Sequence, residues 1–281
     1  MADVKAADVA ALRKATGAGM MDCKKALAEN DGDQEAAKEW LRTKGLAGAS
    51  KRAGRAAEEG AIDVVVESGV GAIAEVTAET DFVAKGTDLT ETVEKLAVLA
   101  VEQGTDDLAK VAFEGSTVEE HIATLGSKLG ENIALGRVVV FSTTDGVVDG
   151  YKHMQHGRGT IGVLVDLGGV DTGDAKAREV AHDVALHVAS AAPRYLTRDD
   201  VPADVVAKER EVLEELSRNE GKPEAALPKI IEGRLNGFFK ENCLLEQGFV
   251  RDPKTTVGKL VEGLGVGASI RRFARVKIGE D

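Results

Sequence analysis

The sequence is poor in cysteine, in aromatic side chains, in uninterrupted apolar runs and in positive charge. Its two cysteines, Cys23 and Cys243, lie far apart and in no metal-ligand spacing, which excludes a disulfide-stapled miniprotein and fits a reducing cytosol. No apolar run approaches the ~20 residues of a membrane span. The opening Met1-Ala2-Asp3-Val4-Lys5-Ala6 lacks a basic segment followed by an apolar one, so the expectation is a soluble, cytoplasmic protein that makes no membrane contact. Lys and Arg number 36 against 48 Asp and Glu, and the net charge of −12 repels phosphate backbones and lipid head groups, which argues against a general nucleic-acid binder. Aromatics make up only 4% of the chain, so the core must come from small and branched aliphatics, and an exposed aromatic becomes informative.

The length of 281 residues suits two or three units. Residues 1–45 read as three short helices, each followed by a glycine, Gly17, Gly32 or Gly45. Val9 and Leu12 mark the first, Met20, Met21 and Leu27 the second. Asp33 is placed to cap the third, whose stripe is Ala36, Ala37, Trp40 and Leu41. Residues 1–55 carry 11 basic and 8 acidic side chains, +3, which leaves −15 for the body. Gly45 to Gly60 reads as a linker or weak helix. We expect a module and linker at 1–55, one core subdomain at 56–140 and a second at 141–281.

From Gly60 the period changes to two. Ala61–Glu67 and Ala72–Val76 flank Ser68-Gly69-Val70-Gly71, a hairpin signal, and a helix follows over about Leu89–Gln103. The order recurs at Val147–His153, a glycine-containing loop, Thr160–Val165 and a helix over about Asp174–Ala191. Setting Ile161 on Ile73, an offset of 88, carries Val93, Leu96, Ala97 and Ala100 onto Ala181, Val184, Ala185 and Val188, so a duplicated strand–strand–helix unit is expected. Within the second copy, 201–242 reads as an inserted antiparallel helical hairpin, with Val205, Val212, Leu213 and Leu216 facing Leu227, Ile230, Ile231, Leu235 and Phe238 around the Gly221-Lys222-Pro223 turn. Ser269–Val276 alternates as a strand that could complete the second sheet. The fold class is α+β.

Catalytic constellations are scarce. Cys23 at a helical position reads as a packed small hydrophobe, although Lys24 and Lys25 could lower its pKa. His153 and His156 lack a third ligand, Gly157-Arg158-Gly159 is no phosphate loop, and His187 reads as a core histidine. No enzyme, cofactor or metal site is expected. Ala78-Glu79-Thr80-Asp81-Phe82-Val83-Ala84-Lys85 differs, since it places an aromatic beside a carboxylate at a strand–helix junction. Phe82 is either a core plug, with Thr80 or Asp81 as helix cap, or an exposed anchor for a partner's pocket. The residues alone leave both readings open.

Leu12-Arg13 and Thr16-Gly17-Ala18-Gly19-Met20-Met21-Asp22-Cys23-Lys24-Lys25-Ala26-Leu27 resemble the amino-terminal signature of the elongation factor Ts family, and Thr80-Asp81-Phe82-Val83-Ala84 resembles its core signature. Glu131-Asn132-Ile133, Ile161-Gly162-Val163-Leu164-Val165, His187-Val188-Ala189 and Gly221-Lys222-Pro223 are similar to further family segments in the same order, over nearly the whole chain. The resemblance implies a guanine-nucleotide exchange factor for the GTPase elongation factor Tu, built from a ubiquitin-associated-like three-helix module, two related α+β subdomains and a coiled-coil arm. It implies that Thr80, Asp81, Phe82 and Val83 form a wedge near the partner's Mg²⁺ site. Arg13, Met20 and Met21 would grip its nucleotide domain, and His153 or His156 with Ile161 would touch its third domain. Tyr151 to Ile161 reads as a loop whose length varies in the family, which leaves open whether His153 or His156 takes the contact, and the expectation from the end at Asp281 is that the carboxyl-terminal module of some relatives is lacking. A passive or chaperone-like scaffold for a GTPase is the alternative.

Overall fold

The amino-terminal helices lie where apolar spacing and, for the third, a capping side chain place them. A computed structural model describes residues 4–280; Met1-Ala2-Asp3, from the opening read for a targeting signal, and Asp281 lie outside the described residues. Helix α1 (Ala6–Thr16) stops where Gly17 takes φ 67° and returns its N–H to the Arg13 carbonyl. It is followed by α2 (Met20–Glu29) and α3 (Gln34–Arg52), the latter capped by the Asp33 carboxylate, which accepts from the N–H groups of Glu35 and Ala36. Val9, Leu12, Cys23, Ala26, Leu27 and Ala37 form their common core, edged by Trp40 and Leu41, while Ala36 turns out exposed. The third helix does not end at Gly45. That glycine is buried inside α3, where an added Cβ would lie 3.7 Å from Thr124 Oγ1 of a crossing helix, so close packing preserves the helix through much of the expected linker.

The body begins with β1 (Glu59–Glu67) and β2 (Val70–Ala78), antiparallel around Ser68-Gly69, whose φ values of 49° and 82° make the tight turn that matches strand twist. Then come α4 (Asp81–Ala84), α5 (Thr87–Gln103), a small hairpin of β3 (Ala112–Phe113) and β4 (Ser116–Thr117), α6 (Val118–Leu129) and β5 (Ala134–Ser142). The first sheet has the order β1-β2-β5. One of its faces packs on α5 and α6 through Ala74, Val76, Val93, Leu96 and Ile122. The second half runs through β6 (Gly146–Gln155), β7 (Arg158–Gly168), α7 (Ala175–Ala191), α8 (Ala203–Asn219), α9 (Leu227–Asn242), a short pair β8 (Gly248–Phe249) and β9 (Asp252–Thr256), α10 (Val257–Glu262) and β10 (Ser269–Lys277). Its sheet order is β10-β7-β6, with α7 and α10 on the outer face.

The two sheets meet back to back through Ile62, Ile73, Phe141, Val148, Leu164 and Val276. Glycine permits the approach, since a Cβ on Gly162 would fall 2.8 Å from Ile62 Cγ2 and 2.9 Å from Ile73 Cγ2. The 88-residue offset holds at the second hairpin turn, His156-Gly157 with φ 50° and 82°, and along the helices, where all eight paired positions are buried. It fails by one residue in the strand. Ile73 faces the other sheet, whereas Ile161 packs towards α7, because a bulge between His153 and Met154 inserts Thr160 as an unmatched residue. Tyr151 to Ile161 is therefore a strand hairpin and not a loop.

In the arm, α9 buries Leu227, Ile231 and Leu235, but Val212 and Leu216 of α8, expected on the inner stripe, are about half exposed; Ser217 is buried instead. Arg198 secures the root of the arm, paired with Glu246, donating 2.7 Å to Asn236 Oδ1, and lying 4.7 Å over the Phe239 ring. His187 is a satisfied core histidine: the Val250 N–H donates to Nδ1 at 3.2 Å and Nε2 lies 2.9 Å from Gln247 Oε1. Burial pushes His187 and His121 below the ordinary imidazole value and pushes the Cys23 and Cys243 thiols up.

Two outcomes are expected. Gly162→Val should cost about 1–3 kcal/mol in a urea melt, since the new methyls have no room between the sheets. Both histidines bind protons less readily in the fold than in the unfolded chain, so as pH falls through about 6.5 the unfolded chain takes up more protons and stability should drop, by at most ~1.4 kcal/mol per pH unit per histidine. A urea midpoint that rises between pH 7 and pH 5 would contradict this.

Candidate partner-binding surface

The strand β2 ends at Ala78, and the chain enters a single turn of helix whose side chains divide sharply by burial. Thr80 caps it, its hydroxyl accepting from the Val83 N–H at 3.4 Å. Ala84 is buried and Val83 packs on the core of the first sheet, so the turn is anchored on one side. Phe82 points the other way and is 87% exposed. This decides the question left open by the residues: Phe82 is not a core plug. Asp81 lies beside it, 2.5 Å from Lys85 Nζ; that ammonium, with lesser help from Arg158, holds the carboxyl below its ordinary value, so it is ionised at neutral pH.

A reciprocal exchange of carboxylates holds the turn from behind. Glu131 Oε2 accepts from the N–H groups of Glu79 and Thr80, both at 3.1 Å, and its Oε1 accepts from the Thr80 hydroxyl at 2.6 Å. Glu79 Oε1 accepts from the Asn132 N–H at 2.6 Å and from Arg55 at 3.2 Å, while the Asn132 amide donates to the Arg55 carbonyl at 2.8 Å. Bonds of this kind to ionised acceptors are about twice as strong as neutral ones. Glu79 and Glu131 were read only as parts of motifs; their partnership spans 52 residues and has no local sequence signal.

The other candidate residues occupy two further places. His153 sits half-buried on β6, its Nδ1 3.0 Å from the Tyr151 hydroxyl and its backbone opposite Ile161 on β7; His156 is exposed at the hairpin tip beside Met154, itself 52% exposed. The tip of this hairpin lies close to the Phe82 turn through Arg158, the first residue of β7. Arg158 is buried on a 2.5 Å ion pair with Glu59 at the start of β1, and its charge reaches Asp81. Reading Gly157-Arg158-Gly159 only for a phosphate loop missed this structural bridge. Arg13, Met20 and Met21 are exposed on the three-helix module, the methionines at 59% and 73%, and the module reaches the body through α3 on α6, including a 2.6 Å Arg42–Glu120 pair. Among the described residues no group of three or more His, Cys, Asp and Glu is placed to hold a metal ion, and no helix is long and apolar enough to cross a membrane.

An α+β chain that presents one aromatic on a braced turn, with exposed methionines on a separate module, has the features of a protein-binding factor. Known proteins name the family. The family described as Elongation factor TS matches residues 79–280. Elongation factor Ts of Micrococcus luteus is 46% identical over 284 aligned residues, covering 99% of this chain and all of that protein. The proteins of the same name from Renibacterium salmoninarum and Streptomyces coelicolor are each 47% identical, again over 99% of this chain and the whole of theirs. The chain belongs to the elongation factor Ts family of translation elongation factors.

With its ring in water, Phe82→Ala should change folding stability by no more than about 1 kcal/mol, whereas a buried phenylalanine would cost about 3–5 kcal/mol. Glu131→Ala should cost about 1–3 kcal/mol, because it leaves two backbone donors and a hydroxyl without their acceptor. Urea melts of the two variants check the contrast, and the reverse order of costs would refute it.

Proposed function

We propose that this chain is a cytoplasmic guanine-nucleotide exchange factor that binds the GTPase elongation factor Tu in its GDP form and hastens GDP release, without covalent catalysis. The observation that carries the reading is Phe82, 87% exposed on a turn whose backbone is braced by Glu131. An apolar ring held in water at a fixed place is suited to enter a partner's pocket at little ordering cost. Burying it there would contribute roughly 1.5–3 kcal/mol. In this reading residues 1–55 grip the partner's nucleotide domain through Arg13, Met20 and Met21. Residues 56–140 carry the wedge Thr80-Asp81-Phe82-Val83, and residues 141–281 supply a second contact through the hairpin of His153, His156 and Ile161.

The physics of release follows from the partner's own ion. Mg²⁺ demands near-octahedral oxygen ligands and joins the nucleotide phosphates to the GTPase, so a wedge that disturbs those ligands weakens GDP without touching the base. Asp81, ionised beside Phe82, adds negative charge near that site. Binding is reciprocal: an exchange factor lowers GDP affinity by the same factor by which GDP lowers its own. Each tenfold acceleration requires about 1.4 kcal/mol of barrier reduction, so Phe82 can supply one or two decades and the remaining contacts the rest.

Fluorescent GDP leaving purified elongation factor Tu tests the proposal. The chain should accelerate release, Phe82→Ala should slow the accelerated rate at least about tenfold, and Asp81→Ala should act in the same direction but less. Deleting residues 1–55 should weaken binding yet leave exchange at high concentration. Binding without any acceleration would identify a passive scaffold instead.

A further inference from the structure

Strand β10 forms the outer edge of the second sheet, and against it the segment 192–196 walls a cleft of about 720 Å³. Six cations line it, Arg137, Arg194, Arg271, Arg272, Arg275 and Lys277, against the two carboxylates of Asp200 and Glu280. In a chain of net charge −12 this is a local inversion. Three of the six are paired with carboxylates, Arg137 with Glu75 at 3.0 Å, Arg271 with the exposed Asp145 at 2.7 Å and Arg272 with the buried Asp166 at 2.9 Å. The other three offer more. Arg194 is exposed, its guanidinium 5.7 Å over the Tyr195 ring, with no carboxylate partner among the described residues. Arg275 is 14% exposed, and its Nε is buried with no hydrogen-bond partner among them. Arg275 and Lys277 share one carboxylate, that of Glu280, which lies 2.6 Å from Arg275 Nη1.

Glu280 supplies the cleft with a carboxylate of its own. A single carboxylate from just beyond the strand has folded back across two cations, and it is itself exposed and attached by a short segment. We propose that the cleft is a docking groove for an acidic, extended segment of a partner protein, whose carboxylates take Arg194 and displace Glu280 from Arg275 and Lys277. The segment's backbone would run along the edge of β10 that faces away from β7. That edge has no neighbouring strand among the described residues; the Lys277 carbonyl already accepts from Arg137 at 2.7 Å and from the Glu280 N–H at 3.2 Å, so an added strand would pair with the peptide groups that precede it. The planar guanidinium fork suits a carboxylate in two-point contact. A nucleic-acid strand fits less well, because its phosphates are repelled by a chain whose net charge is −12. This surface is separate from the Phe82 turn and does not depend on the exchange reading.

The test uses the full chain and a fluorescein-labelled peptide of about ten residues alternating Glu and Val, followed by anisotropy at low salt. Saturable binding is expected, weakened at least about tenfold by Arg194→Glu and strengthened several-fold by Glu280→Ala, since that variant removes the internal competitor. Urea melts establish that both exposed-site variants fold. No saturable binding overturns the proposal, as does an affinity that Glu280→Ala leaves unchanged or lowers, the result expected if the arginines only guard a sheet edge. An oligouridylate of similar length bound more tightly than the peptide would overturn the choice of partner.

Discussion

The arrangement depends on one contact, the back-to-back packing of two three-stranded sheets through Ile62, Ile73 and Leu164 around glycine backbone at Gly162. Each sheet has helices on its outer face, so its inner face must be covered by the other sheet. Strand side chains of ordinary size on both faces would hold the sheets about 10 Å apart. Glycine at the crossing removes that bulk locally and lets β1 lie against β7. The ion pair between Glu59 on β1 and Arg158 on β7 is a product of this approach, and it brings the second hairpin to the side of the Asp81-Phe82 turn.

Around that frame, anchoring and exposure are separated residue by residue. Val83 and Ala84 are committed to the core, Thr80 to Glu131 and Asp81 to Lys85, while the Phe82 side chain stays 87% exposed. A ring that could have been buried for a gain of roughly 1.5–3 kcal/mol is kept in water by neighbours that fix the backbone. Such an arrangement costs stability and is intelligible when another protein covers the ring. The methionines at 20 and 21 are likewise exposed, on a softer, more adaptable surface.

The buried titratable groups are, by contrast, structural. His187 spends both ring nitrogens on Val250 and Gln247, and both cysteines are deep enough to be poor nucleophiles. Charge is unevenly distributed, with six cations gathered at the β10 cleft of a chain whose net charge is −12.

Much was legible from local pattern alone. Strand alternation, the Asp33 cap, the Gly221-Lys222-Pro223 turn and the buried stripes of α5 and α7 are each written within a few residues, and the family follows from two contiguous signatures. What local pattern could not reveal was set by distant partners. Gly45 reads as a helix stop, but packing against Thr124 keeps α3 intact. Ile161 reads as the twin of Ile73, but the extra Thr160 turns it to the opposite face, because a strand reverses its faces with every inserted residue. Val212 and Leu216 read as inner stripe, but the turn of α8 against α9 leaves them in water. Phe82 was ambiguous for the same reason: an aromatic at a strand end satisfies a core or a partner equally well as sequence. Only the packing of Val83 and Ala84 and the Glu131 brace decided its direction, since burial is a property of the assembled fold and not of the residue.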